Sequence, residues 1–212
     1  MDIWTAVSED RLALADMLEG LSEEQWSAAS LCSGWSVKDV AAHVAPTVGG
    51  GFTEFFVALV RSGFNPDRAS RRVVRGSAEV PTSELIADLR LHAAQRSAPP
   101  GLGPASQLAD VLVHTLDIAV PLDIVVRRPD AHWHAALAWL VTPQARRGFV
   151  REGCPAVTLV TDRGRYGEGP EVRGPAPALA LALCGRDAVM DDLSGPGLQE
   201  FALWVRRASR GE

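Results

Sequence analysis

Apolar residues recur at helical spacing through most of the chain, and the stretch from Gln107 to Pro121 sets the frame. Leu108, Val111, Leu112, Thr115 and Ile118 fall on one side of a helix, and Pro121 marks its stop. Upstream, Ile3, Val7, Leu12, Leu14, Met17 and Leu18 form the apolar stripe of a first helix over 3–20, closed by Gly20. The segment LSEEQWSAASLCSGW reads as a linker whose Trp26, Leu31 and Trp35 pack it onto the helices. Ser36 and Asp39 make an S-x-x-D cap, so a second helix starts there and runs past His43. Pro46 and the triplet Gly49, Gly50, Gly51 interrupt or kink it before FTEFFVALV, and the arginine-rich 61–81 reads as a loop with partial helix at most. A third helix begins at Thr82 and Ser83, with Leu85, Leu89 and Leu91 apolar, and SAPPGLGP breaks it.

Beyond Pro121, DAHWHAALAWLVT predicts a short helix capped by Asp130. From about Cys154 the pattern changes. AVTLVTD alternates as a strand does, RGRYGEGPE is a turn region, and GPAPALALALCGR leads from a turn into a helix. SGPGLQEFALWVRRAS supplies a last amphipathic helix. The pattern therefore predicts a mainly α protein: a helical bundle over 1–142, followed by a small α+β unit over 143–212.

Composition narrows the function classes. The chain has 212 residues, 47% apolar and 22% charged, in keeping with a soluble globular protein able to bury a sizeable core. No run approaches the ~18 apolar residues of a membrane span, and the N-terminus lacks the basic start and cleavage region of a signal peptide. A net charge of −5 with no basic stripe argues against nucleic-acid binding. Three cysteines, Cys32, Cys154 and Cys184, make no disulfide framework, so a reducing cytoplasm is the expected compartment. A homodimer is compatible with all of this.

The chemistry gathers on the organising helix. Asp110 and His114 lie four apart, so their side chains leave one face about 6 Å from each other. A carboxylate and an imidazole at this spacing can hold one metal ion if another helix adds a ligand. His43, within VAAHVA, is the best supplier. Each also has an ordinary reading: a polar pair on an exposed helix edge, and a core histidine among alanines and valines. Asp117, a turn further on, is open to three readings: it orients His114, reaches the metal, or caps the following loop. His92 reads as solvent-facing, and His132 and His134, two apart, point to different helix faces. Cys32 precedes His43 by eleven residues, about 16 Å if the segment is mostly helical, and reads as a small buried hydrophobe rather than a ligand. No phosphate loop, nucleophile elbow or H-E-x-x-H pattern occurs.

Three stretches then carry a resemblance. LCSGWSVKDVAAHV resembles the signature of the mycothiol-dependent maleylpyruvate isomerase family, within the DinB-like metal-binding four-helix superfamily. LADVLVHTLDIAVPLD is similar to that family's second metal segment, and YGEGPEVRGPAPALALALCGRDAVMDDLSGPGL resembles the C-terminal domain of its actinobacterial members. The resemblance implies a DinB-like up-down four-helix bundle followed by a sterol-carrier-like α+β domain. It implies His43, Asp110 and His114 as metal ligands, with Arg186 of CGRD as a catalytic residue. Zn²⁺ or another divalent metal, mycothiol as thiol cosubstrate and a small electrophile complete the expectation. Three positions depart from the family pattern: Asp110 stands for a glutamate, Ala119-Val120 for a basic pair, and Ser33 for a proline.

Three protein ligands leave zinc an open position, where an entering thiol would lose its proton and become a nucleophile. Addition of that thiolate to a conjugated double bond, rotation and expulsion give isomerisation, whereas release of the adduct makes the protein a thiol S-transferase. A non-catalytic metal or small-ligand binding protein of the same fold is one alternative, favoured by the departures at Asp110 and Ala119-Val120. A non-haem iron enzyme is another, because two histidines and a carboxylate also suit Fe(II).

Overall fold

In the computed structural model the described residues are 1–45 and 80–210. The interruption expected at Pro46 and the glycine triplet, the FTEFFVALV segment and nearly all of the 61–81 loop lie outside them.

Eight α-helices occur among the described residues. Helix α1, Ile3–Glu19, starts where the Asp2 carboxylate accepts the Trp4 N–H. Its buried face holds Val7, Leu14 and Leu18, whereas Leu12 is 42% exposed. The expected stripe fails at that one position: the inward places beside it are taken by the polar side chains of Asp10 and Arg11. The expected linker contains a five-residue helix, α2, Glu23–Ser27, because Ser22 and Gln25 form a reciprocal capping box. Trp26 of α2 is buried, as its position next to the helices led us to expect.

Helix α3, Val37–Val44, begins at the Ser36–Asp39 box anticipated from the sequence. Helix α4, Thr82–Leu91, buries Leu85 and Leu89 but leaves Leu91 79% exposed, since two residues past Leu89 is the opposite face. Helix α5, Pro104–Ala119, is the organising helix, and it starts earlier than its apolar pattern because Pro104 occupies a first-turn position where no N–H is needed. Helix α6, Asp130–Leu140, is preceded by Pro129 without a side-chain cap, so Asp130 is its first helical residue and not its cap.

The last third combines a small sheet with two helices. AVTLVTD supplies β1, Thr158–Val160. The expected turn region contains a further strand, β2, Arg165–Gly167, and a third, β3, Glu171–Arg173, begins at its last residue. The order is β2-β1-β3, with β2 antiparallel and β3 parallel to β1. Gly167 ends β2 at φ +80°, and a Cβ there would sit 2.6 Å from the Val157 carbonyl oxygen, so the turn admits only glycine without strain. Helix α7, Ala176–Leu183, and helix α8, Leu198–Arg210, follow as the apolar pattern predicts.

Packing is centred on α5. Helices α1 and α3 each pack against both α4 and α5, and α6 packs against both α5 and α7. Val111 and Ile118 of α5 share one apolar cluster with Leu14, Val40 and Leu85. Leu108 and Leu112 share a second with Leu137, Leu159, Leu179 and Phe201. A helix buried on nearly every side has few places for polar side chains, and Asp110, His114 and Asp117 occupy three of them. No described helix is long and apolar enough to cross a membrane.

Candidate metal centre

His43 sits in the last turn of α3, which the Ser36–Asp39 box starts at a fixed place. Asp110 and His114 face it from α5. Asp110 Oδ1 lies 3.6 Å from His114 Nε2 and 4.0 Å from His43 Nε2. The three potential ligand atoms all fall within 4.8 Å of one another. The imidazole rings meet edge to face at 4.9 Å, and the Trp35 ring sits 5.4 Å from that of His43, also edge to face. The side chains retain 23%, 26% and 13% exposure for His43, Asp110 and His114, so the cluster is partly open.

Burial, reinforced by the His114 charge, pushes the His43 pKa down to about 4. At neutral pH His43 is thus a neutral imidazole with a lone pair to offer. For His114, burial acts downward, but hydrogen bonds to Asp117 and Cys32 and the charge of Asp110 outweigh it and raise the pKa well above the ordinary histidine value.

Behind His114 lies a buried carboxylate. Asp117 is fully buried, and its Oδ2 accepts the His114 Nδ1–H at 2.8 Å. Arg186 grips the same carboxylate with two bonds, Nε to Oδ1 at 2.8 Å and Nη2 to Oδ2 at 2.6 Å. The arginine's Nη1 donates to the Cys184 carbonyl at 2.6 Å. Burial would raise the Asp117 pKa, but the Arg186 charge and the His114 and Arg186 hydrogen bonds hold it below the usual carboxylate range. Of the three readings of Asp117, the structure supports the orienting one: the carboxylate engages Nδ1 and leaves Nε2 of His114 facing Asp110.

Cys32 is placed differently from the sequence expectation. Its Sγ is 3.8 Å from His114 Nδ1, 3.1 Å from Asp117 Oδ2 and 3.3 Å from Arg186 Nη2. A helical rise does not apply between Cys32 and His43, because 28–36 is a folded-back turn, and Cys32 nonetheless stays outside the group that His43, Asp110 and His114 form. Trp35 N–H bonds the Cys32 carbonyl, Ser30 N–H bonds the Trp35 carbonyl, and Gly34 takes φ +77°. The Leu31 N–H then ties the turn to the Asp117 carbonyl at 3.0 Å. Cys32, His114 and Asp117 form a second group of potential ligands. The guanidinium already seated on Asp117 and Sγ opposes a cation there.

The remaining histidines lie elsewhere. His92 is partly exposed and pairs with Asp88 at 2.9 Å. His132 is buried against Asp10 at 2.8 Å, with Arg128 2.8 Å from the same carboxylate, joining α1 to the start of α6. His134 stacks on Tyr166 and bonds its hydroxyl, so the two histidines do leave α6 on different faces.

A family model described as the mycothiol maleylpyruvate isomerase N-terminal domain matches residues 7–153. Crystal structures of mycothiol-dependent maleylpyruvate isomerase and of one of its point mutants share the fold, with TM-scores of 0.55 and 0.54. Each alignment covers 89% of this chain and 92% of the other at 16% identity, so the likeness speaks for the fold. No curated protein sequence matches.

Proposed function

The chain belongs to the mycothiol maleylpyruvate isomerase family, and on that premise we propose that it is a metal-dependent enzyme joining mycothiol to a small electrophile. His43, Asp110 and His114 would hold the ion. The fit rests on the donor set: two imidazole nitrogens and one carboxylate oxygen within 4.8 Å, a combination that suits Zn²⁺ and leaves it a further coordination position. Aspartate, one methylene shorter than the family's glutamate, still brings Oδ1 to 3.6 Å from His114 Nε2. A divalent cation there would lower the pKa of an incoming thiol enough to make it a nucleophile at neutral pH.

The chain's own residues prepare that place. His43 stays neutral because it is buried beside His114. Asp117 takes the His114 Nδ1 proton into a hydrogen bond, which fixes the ring and leaves Nε2 as the metal-facing atom. Arg186 neutralises Asp117 inside the protein, so its contribution to activity acts through that carboxylate. We further propose that 1–142 is a DinB-like four-helix metal-binding unit. Residues 143–212, the sterol-carrier-like part, serve it by supplying Arg186. The single observation that carries the reading is the convergence of His43 and His114 on Asp110 with Asp117 bonded behind.

Metal content of protein purified without chelators is the test, with His43→Ala and His114→Ala alongside. About one zinc per chain, lost in both variants, supports the reading. Iron in its place would move the reading to the non-haem iron class. No uptake of zinc, nickel or iron overturns it. With metal bound, turnover that returns the thiol unchanged marks an isomerase, and a stable adduct marks an S-transferase. Metal without thiol binding leaves only the binding protein.

A further inference from the structure

We infer that Cys32 is a positioning residue for His114, acting as the hydrogen-bond donor that completes the buried Asp117 carboxylate. The inference depends on the metal reading for its consequence and on hydrogen bonding alone for its test.

Sγ lies 3.1 Å from Asp117 Oδ2, in the geometry of a thiol donating to a carboxylate oxygen. Asp117 is the carboxylate, held ionised by the Arg186 fork, so the thiol carries the proton and donates it. Oδ2 then receives three donors: Cys32 S–H, His114 Nδ1–H and Arg186 Nη2–H. The Nη2 group also points a hydrogen at Sγ at 3.3 Å, which closes a ring of three side chains, Cys32, Asp117 and Arg186, with His114 joined to it at Oδ2.

The turn is fixed independently of the thiol. Leu31 N–H bonds the Asp117 main-chain carbonyl, and Ser30 Oγ both donates to the Trp35 carbonyl and accepts the Cys32 N–H. Removing Sγ alone thus leaves the loop in place and takes one donor from Oδ2. Arg186 Nη2, no longer shared with sulfur, is then free to pull Oδ2 away from His114. Sγ meets His114 on its Nδ1 side, whereas Nε2 of the same ring faces Asp110.

The test compares Cys32→Ala, which removes the donor, with Cys32→Ser, which keeps one, and Cys32→Val, which fills the space without one. The first readout is the imidazole Nδ1–H proton of His114 in metal-free protein by ¹⁵N-edited NMR. It should be downfield and slowly exchanging in the wild type and in Cys32→Ser, and shifted or lost in Cys32→Ala and Cys32→Val, with melting curves showing that each variant folds. The second is zinc affinity against a chromophoric chelator, expected about 10-fold weaker in Cys32→Ala and restored by serine. An unchanged His114 signal in Cys32→Ala, or one equally disturbed in alanine and serine variants, overturns the inference. If the NMR pattern holds while the wild type takes no zinc, the positioning role stands and the metal reading alone fails.

Discussion

At the scale of single residues, Asp117 is the decisive group. It has no exposure, yet its carboxylate meets a histidine, an arginine and a cysteine from three separate parts of the chain. Asp117→Asn keeps the shape and removes the charge, leaving Arg186 without its counter-ion. We expect a loss of about 3 kcal/mol of stability at pH 7, by analogy with broken buried pairs. Because the folded-state pKa of Asp117 is depressed, its stabilising contribution is present above the unfolded value of about 4 and fades as pH falls below it. Chemical denaturation at pH 7 and at pH 3 checks this: the gap between wild type and Asp117→Asn should narrow in acid.

At the scale of elements, α3 is short and carries a single candidate ligand near its end. Its start decides where His43 points, since a one-residue shift of the helix would rotate that ring by about 100° around the axis. The Ser36–Asp39 box holds the start with bonds in both directions. Ser36→Ala should cost about 1 kcal/mol and lower the melting temperature by about 2–4 °C. If the cap matters to the site, zinc affinity falls with it, and a chelator titration measures that directly. Helix α5 contributes differently: its apolar residues divide between two clusters, which leaves it little freedom to slide or rotate.

At the scale of the molecule, the site gathers residues from the first third, the middle and the last third of the chain: Cys32 and His43, Asp110 to Asp117, and Arg186. An ion bound by the folded site alone must stabilise the whole fold by mass action. Zinc at about 100 times its dissociation constant is worth about 2.7 kcal/mol, which should raise the melting temperature by about 5–10 °C in a protein of this size. His43→Ala should melt without any zinc-dependent shift. A shift that survives in this variant would place the zinc elsewhere.

The sequence by itself determined the local features. Periodicity marked α1, α5 and α8, and the Ser36–Asp39 pattern located the start of α3, because helices and caps depend on residues within a few places of one another. It also put Asp110 and His114 on one face, since i, i+4 spacing is a property of the helix alone. The strands β2 and β3 were not legible: three residues each, rich in charge and glycine, they exist because β1 offers its edges. Nor were the inward turns of Asp10 and Arg11, polar residues in an apolar stripe that are buried where oppositely charged or carbonyl partners from other helices and loops meet them. Only the tertiary structure decided what surrounds Asp117. Cys32 lies 85 positions before it in sequence and Arg186 lies 69 after it, and no local pattern carries such separations. Their meeting is set by how a folded-back turn and the C-terminal third pack on α5, and that packing converts a histidine–aspartate spacing into an oriented pair of imidazoles.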